Sequence, residues 1–411
     1  MKLKAPLSTQ IEVTSSCNHS CVYCYNPFEH KTISMDKSQL HYIINELCDH
    51  EVFSLIFTGG EPFMNRGVLI NGLRSAQEKG RDTYLNSNLS IPLRNEEINV
   101  LKNVKNILFS FPSSNPKKYF QITNQDSFKN VLKNLERLAS NEITLTANQV
   151  VIPLNREEIY ENASFLKDLF DIRNFCATPV NPSGCLREQY SLFQEDYTKI
   201  IRDLLEVKDT LDMEVGVLTC LPPCLLEEDL RSNSLINKIC SAGKSSSAVG
   251  VNGEVRKCVE CDKSYGNIFE ESFSGIWNRI NSEQTTVHEI CKDCPIKIGC
   301  STGCEARALK NKGVDPLIQG PIPFFSQPPP IEMNNQSFYF LKRFNSRNEE
   351  GEQYIITDEG SFLLYGNRSL INFLEKLKDK IFTISEIKTE LGERGLGLIK
   401  YLNSQGLIEK K

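Results

Sequence analysis

The sequence predicts an α/β protein in three parts, on three observations. Between Gln10 and about Val180, short apolar runs alternate with amphipathic stretches of helical period, the pattern of repeated βα units around a parallel sheet. The fifteen cysteines fall mainly into two fields, Cys17 to Cys24 and Cys220 to Cys304, and the second implies a small cysteine-rich domain. A proline-rich stretch, Gln319 to Met333 with Pro328, Pro329 and Pro330 consecutive, reads as a stiff extended linker to a separate α+β module. The expected boundaries are 1–215, 216–318, 319–335 and 336–411.

The elements follow in order. IEV at Ile11 to Val13 is the first strand, and SQLHYIINELC is the helix leading to SLIFT at Ser54 to Thr58. TYLNS at Thr83 to Ser87 follows another helix, and NILFSF, TANQVVI and NFCATPV continue the series, with VLKNLERLA as a helix between two of them. Six strands make a partial (β/α)6, TIM-like barrel. In such barrels ligand loops sit where strands end, so the cysteine loop after the first strand and Gly59, Gly60, Glu61 and Pro62 after the second share one mouth.

Composition narrows the function classes. A chain of 411 residues, 40% hydrophobic and 24% charged, can bury more than one core. A net charge of -5 and a pI near 5.8 exclude a broad phosphate-binding surface, so no nucleic acid partner is expected. MKLKAPLSTQ has no apolar h-region and no run of 18 apolar residues follows, which predicts a cytoplasmic protein with no membrane partner. Thiols stay reduced in that compartment, so metal ligation is the better reading of the cysteines, and five scattered histidines leave sulfur as the main ligand. Cys48, Cys176 and Cys185 stand alone and read as small buried hydrophobes.

CNHSCVYC supplies three thiolates, Cys17, Cys21 and Cys24, to a cube of four irons and leaves one iron without a protein ligand. Zinc would want a fourth closing ligand, and none lies nearby. With TGGEP one βα unit later, the chain resembles the radical S-adenosylmethionine (SAM) superfamily over about its first 215 residues. The resemblance implies that SAM chelates the open iron, that Gly59 to Pro62 hydrogen-bond its amino end, that Tyr23 sits on the adenine side, and that Asn88 and Ser110 contact ribose or carboxylate. It implies a reductive cleavage giving a 5′-deoxyadenosyl radical, which takes hydrogen from a substrate, with a donor such as flavodoxin or ferredoxin. No general base is named by the sequence, and His19 reads as a loop residue.

In the second field Cys240 and Cys258 flank a VNGEV turn, and Cys291, Cys294, Cys300 and Cys304 form CxxCxxxxxCxxxC. Thiolates favour iron–sulfur or zinc over hard cations. With GNIFEESFSGIW and GCEARALKNKGVDP, the field resembles the SPASM extension, which implies auxiliary [4Fe–4S] clusters. By that resemblance Cys240, Cys258 and Cys304 bind the first cluster with Cys224 as fourth ligand, or less readily Cys220, and Cys291, Cys294 and Cys300 bind the second. The family's last cysteine is missing near Asp315 and Pro316, so Cys261, Asp315 or an open iron completes the second set.

In the last module FYFLKRF, YIIT and FLLY read as strands, Leu370, Ile371, Leu374 and Leu377 mark a helix, Thr383 and Glu386 cap ISEIKTEL, and GLGLIKYLNSQGLI is a third helix closed by Gly406. Three strands with three helices resemble the winged-helix domain of PqqD type, which implies leader-peptide binding on a sheet edge, with Phe338 to Phe344 as the edge strand. DNA binding and a structural cap are the alternatives. The combined resemblance implies a maturase that cross-links a ribosomally made precursor peptide through a thioether or C–C bond. Formylglycine formation or small-molecule dehydrogenation is the alternative, and a non-catalytic iron–sulfur scaffold the alternative of another class. Val259 stands where formylglycine-forming enzymes resemble one another in having an aspartate.

Overall fold

The computed structural model describes residues 2–25, 32–181, 188–233, 235–236, 239–283, 289–322, 337–342, 344–349, 351–358, 361–378, 380–404 and 407–410. Cys185, Gly406 and most of the expected linker lie outside the described residues. A nine-stranded sheet forms the main body, in the order β7-β6-β5-β4-β3-β2-β1-β8-β9. Its strands are β1 (Ser8–Glu12), β2 (Ser54–Thr58), β3 (Asp82–Ser87), β4 (Asn106–Ser110), β5 (Leu145–Val151), β6 (Asn174–Pro179), β7 (Glu214–Gly216), β8 (Ser246–Val249) and β9 (Val255–Arg256). Pairing is parallel from β7 through β8, and only β9 runs back.

The six expected strands are present in the expected order, an α/β fold built on parallel strands. The first begins at Ser8, ahead of the expected Ile11, because Ser8 to Gln10 pair with β2 on one side and β8 on the other. Alternation sorts the side chains. Ile11, Leu55, Phe57, Leu85, Ile107, Phe109, Ala147 and Phe175 are fully buried under the helices. Each large apolar side chain removed from water there contributes roughly 1.5–3 kcal/mol. The opposite face carries Gln10, Tyr84, Asn86, Ser110, Asn148 and Thr178, half-buried along the inner wall.

β8 and β9 belong to the cysteine-rich segment, yet they extend the barrel sheet, and one hydrophobic core runs from Leu3 through Val249, Phe273 and Trp277. Trp277, fully buried on helix Phe273–Ser282, donates from Nε1 to the Leu3 carbonyl at 2.7 Å.

The C-terminal module holds two three-stranded sheets. β10 (Phe338–Leu341) lies between β14 (Ile381–Thr383) and β15 (Ile408–Lys410), while β11 (Asn345–Asn348), β12 (Tyr354–Asp358) and β13 (Ser361–Gly366) form a meander. The expected edge role for Phe338 to Phe344 is therefore overturned, because Tyr339 and Phe340 pair on both sides, with Phe382 and Ile381 and with Lys410 and Glu409. Helix Arg368–Leu377 follows the meander, and Ile384–Ser404 holds two helices that meet at Gly392, whose φ of 65° breaks the helical backbone between them. The Thr383 and Glu386 cap is present: the Thr383 N–H donates to Glu386 Oε2 at 2.6 Å and the Glu386 N–H to Thr383 Oγ1 at 3.3 Å.

The module is fastened to the barrel. Fully buried Arg347 donates to the carbonyls of Ala5 at 2.6 Å, Pro6 at 3.1 Å and Glu51 at 3.1 Å and pairs with Glu349 at 2.6 Å, while Glu349 accepts from the Lys4 N–H. Ile355 joins the barrel core. Among the described residues no helix is long and apolar enough to cross a membrane.

Candidate active site and auxiliary thiol centres

The loop holding Cys17, Cys21 and Cys24 leaves the end of β1 and is locked to the loop after β2. The Gly60 N–H donates to the Thr14 carbonyl at 2.7 Å and the Glu61 N–H to the Ser16 carbonyl at 2.8 Å. This contact explains both glycines. Gly59 has a φ of 139°, and a Cβ there would lie 2.3 Å from the Thr14 oxygen; a Cβ on Gly60 would lie 2.3 Å from the Ser16 oxygen. Pro62 begins a short 3-10 turn that Glu61 caps by accepting from the Phe63 N–H at 3.1 Å.

Glu61 is buried and also accepts from the Asn88 N–H at 2.7 Å and Ser87 Oγ at 2.8 Å. Burial pushes its carboxyl up to about 7, against the pull of those three donors. Asn88, expected to touch ribose or carboxylate, is engaged with the cysteine loop. Its amide donates to Asn18 Oδ1 at 3.0 Å and approaches Cys17 Sγ at 3.9 Å, while its Oδ1 accepts from Ser90 Oγ at 2.7 Å. A continuous line of contacts thus runs from Glu61 through Asn88 to Cys17.

His19, read from sequence as a loop residue, pins this loop instead. Its ring is buried edge-on to Tyr119, with Nε2 3.0 Å from Ser127 Oγ, and burial lowers its pKa to about 4, so the ring is neutral. The Ser20 and Val22 N–H groups donate to the carbonyls of Thr123 and Ile122 at 3.0 and 2.9 Å. Tyr23 places its hydroxyl against the Cys21 thiol and its ring in a cluster with Val150, Tyr190 and Leu192. Ser110 ends β4 on the inner face, in register with Asn148. Cys17 and Cys24 stand exposed at the loop rim, in contrast to buried Cys240, Cys261, Cys291, Cys294 and Cys304.

The barrel and the second cysteine field meet at a joint that sequence reasoning missed. Arg256 on β9 pairs with Glu12 at the end of β1 and donates to the carbonyls of Val259 at 3.2 Å and Cys261 at 3.3 Å. Both side chains are buried, and burial outweighs the guanidinium to raise Glu12 to about 7. Tyr25 lies among the charges of Glu12, Glu260, Cys24 and Cys258, and its burial drives the phenol well above its ordinary range. An acid at one strand end and a base 244 residues later carry no spacing signal.

The auxiliary thiols form two groups. Cys240 touches Cys220 and Cys304, Cys258 lies 3.4 Å from Cys261 between sulfurs, and Cys258, Cys261 and Cys304 pack together. Cys224 lies with Cys291 and Cys300, within reach of their charges, and Cys294 neighbours Cys291. Cys220 thus stands beside Cys240 and Cys304, where the resemblance set Cys224, and Cys224 stands beside Cys291 and Cys300.

Asp315, one of the three expected completions of the second set, is held by protein donors. Its Oδ1 accepts from Arg307 Nε at 2.8 Å and the Leu317 N–H at 3.0 Å, and its Oδ2 from Arg307 Nη2 and the Cys304 N–H, both at 2.8 Å. A carboxylate so occupied anchors the loop and has no lone pair aimed at a metal. Gly303 is required beside it, since a Cβ would lie 2.2 Å from Asp315 Oδ2.

The hydrogen bond with the Cys220 thiol, and after it burial, raise Cys240 to about 12, and burial raises Cys300 to about 11. Such thiols stay protonated unless a cationic centre takes them, which is the electrostatic condition of a metal or cluster site. Among the described residues no three Cys, His, Asp or Glu side chains close on a point as a single ion needs. Soft, spread, protein-enclosed thiols fit iron–sulfur clusters.

Family models match in the same places: the radical SAM superfamily over residues 11–166 and the SPASM iron–sulfur cluster-binding domain over residues 240–295. A GTP 3′,8-cyclase of Clostridium perfringens is 22% identical over 180 residues, 42% of this chain and 55% of the relative. The sporulation killing factor maturation protein SkfB of Bacillus subtilis is 19% identical over 66% of this chain and 64% of its own. The chain spans about half the length of the first curated relatives it matches. Streptococcus suis SuiB, solved with S-adenosylmethionine and with precursor peptide SuiA, superposes with a TM-score of 0.64; the SAM-bound structure is 18% identical over 77% of this chain and 78% of that one. anSMEcpe, solved with AdoMet and a Cp18Cys peptide, gives a TM-score of 0.57 at 20% identity over 73% and 89%. These likenesses are of fold. Residues 11–166 thus carry a radical SAM domain and residues 240–295 a SPASM iron–sulfur cluster-binding domain.

Proposed function

We propose that this protein is a peptide maturase: it removes hydrogen from a side chain of a ribosomally made precursor and closes a thioether or C–C cross-link. The observation that carries the reading is the inner wall of the sheet. Gln10, Tyr84, Asn86, Ser110, Asn148 and Thr178 set amides and hydroxyls there among Ile56, Leu108 and Val150, groups that match peptide N–H and C=O. Among the described residues Gln10 Oε1 has no hydrogen-bond partner although buried, so it is an acceptor in want of a donor. SuiB, similar in fold, has been solved with a precursor peptide.

Cys17, Cys21 and Cys24 would hold the SAM-binding cluster, which supplies the one-electron cleavage that generates a hydrogen-abstracting radical. The N–H groups of Gly60 and Glu61 are already spent on Thr14 and Ser16, so what their turn offers a ligand's amino group is carbonyl oxygen. Glu61 and Asn88 hold Cys17 and act as positioning residues. The Glu12–Arg256 pair keeps the Val259 to Cys261 loop seated on β1, and Tyr25 closes the space between Cys24 and Cys258.

A cross-link from C–H and S–H gives up two hydrogens. One leaves with the SAM-derived radical as 5′-deoxyadenosine; the other departs as a proton to solvent and an electron to the auxiliary centres. The reducing electron comes from a flavodoxin- or ferredoxin-class donor. The leader would add to the edge of β13, since β11, the other edge of that sheet, carries the Arg347 clip to the barrel.

The test is anaerobic reconstitution with iron, sulfide, SAM and reductant, followed by mass spectrometry of a precursor peptide encoded beside the gene. Loss of two hydrogens per cross-link, with 5′-deoxyadenosine formed, is expected. 5′-Deoxyadenosine formed with small molecules and never with peptide would overturn it.

A further inference from the structure

The two auxiliary thiol groups hold enough sulfur to close every iron, and the geometry points to how. We propose that Cys224 completes the second auxiliary site with Cys291, Cys294 and Cys300, and that the first site draws on Cys220, Cys240, Cys258, Cys261 and Cys304, so neither cluster keeps an open iron for a substrate thiolate. The inference rests on the maturase reading above and decides the role of its auxiliary centres.

The missing last cysteine was expected near Asp315 and Pro316. No sulfur stands there, but the chain just beyond runs against one: the Gln319 N–H donates to Cys224 Sγ at 3.3 Å. Cys224 sits in the 3-10 turn Pro223–Leu225, and the turn delivers its sulfur from the opposite strand of chain to the vacated place. A thiolate accepting an amide N–H is a common second contact for an iron ligand.

Cys220, only four residues earlier, is held elsewhere. Arg307 donates to Thr219 Oγ1 at 2.9 Å and pairs with the Cys220 carbonyl, and the same guanidinium grips Asp315, which takes the Cys304 N–H. Arg307 therefore seats Cys220 beside Cys304 while the intervening Leu221, Pro222 and Pro223 carry the chain across to the second group. Asp315, with both oxygens occupied, is removed from the ligand set.

The count has a chemical consequence. The second group offers four thiols to four corners, and the first offers five. A cubane capped at every corner can exchange electrons through its ligands but cannot bind a substrate sulfur without losing one. The auxiliary centres then serve only to accept the electron left when the cross-link closes.

The proposal is tested with the full chain carrying Cys17→Ala, Cys21→Ala and Cys24→Ala, which leaves only auxiliary iron, by counting iron and sulfide and recording EPR of the reduced protein with and without cyanide. Roughly eight irons for two cubanes and a spectrum indifferent to cyanide are expected. Adding Cys224→Ala should make the spectrum cyanide-sensitive or remove about half the iron, whereas adding Cys220→Ala, which leaves four thiols at the first site, should keep the iron count and a spectrum indifferent to cyanide. Cyanide sensitivity without Cys224→Ala, or a Cys224→Ala spectrum identical to its parent, would overturn the assignment. A Cys224→Ser variant guards against misfolding: it should keep near-parental iron with a shifted spectrum. Because no peptide or 5′-deoxyadenosine is measured here, failure of the ligand assignment and failure of the maturase reading give different results.

Discussion

At the scale of single residues, the two glycines of TGGEP matter because of what they touch. Their missing side chains let the two backbones pack where a Cβ would lie 2.3 Å from the carbonyl oxygen of Thr14 or Ser16. Gly60→Ala should therefore push the cysteine loop outward and cost the trio its iron while the auxiliary iron is kept, a loss of about four irons per chain readable by iron assay and EPR. Glu12 gives a pH prediction. Burial raises its carboxyl from the ordinary 4.5 to about 7, so the folded chain holds a proton that the unfolded chain has released. Its stabilising contribution is complete below pH 4.5 and is lost as pH rises to 7. Denaturant midpoints measured between pH 5 and 7.5 should fall with pH, and Glu12→Gln should flatten that slope; a midpoint that rises with pH would contradict the burial. Cys17, Cys21, Cys24 and the glycine turn were legible in the sequence because their spacing is local. His19, Glu12 and Arg256 were not, since a neutral buried imidazole and an ion pair across the whole chain leave no local pattern.

At the scale of elements, strand order was readable because each βα unit is built from neighbouring residues. The places where reading failed are the long-range pairings. β8 joins β1 with its four residues in parallel register, which no periodicity in SSAV could announce. FYFL reads equally well as an edge or a centre, and only its pairing with both Ile381–Thr383 and Ile408–Lys410 decides it. The resemblance favours Cys224 over Cys220 beside Cys240 and Cys304; the Pro223–Leu225 turn and the Arg307 anchor set Cys220 there instead. The Arg347 clip makes an element-scale prediction. Arg347→Met removes the buried cation and leaves Glu349 with little but the Lys4 N–H, a loss of about 3–5 kcal/mol to the docked state. Hydrogen exchange should then rise across β11 to β13 while the barrel strands stay protected. Equal protection in both proteins would mean that the contact does not hold the meander.

At the scale of the whole molecule, a single core and a single sheet run from the barrel into the cysteine-rich segment, so the loop of Cys17, Cys21 and Cys24 and the auxiliary thiols are carried on one body. Glu12, Arg256, Tyr25 and Glu260 occupy the ground between them. Under the proposed function Cys17, Cys21 and Cys24 hold a cluster with one exchangeable iron while the auxiliary clusters are closed. EPR of the reduced, reconstituted full-length protein, recorded before and after adding SAM and set against the Cys17→Ala, Cys21→Ala, Cys24→Ala variant, tests it most directly. The account predicts a SAM-dependent change in the wild-type spectrum and none in the variant. An identical change in both proteins, or a wild-type spectrum that ignores SAM, would contradict it.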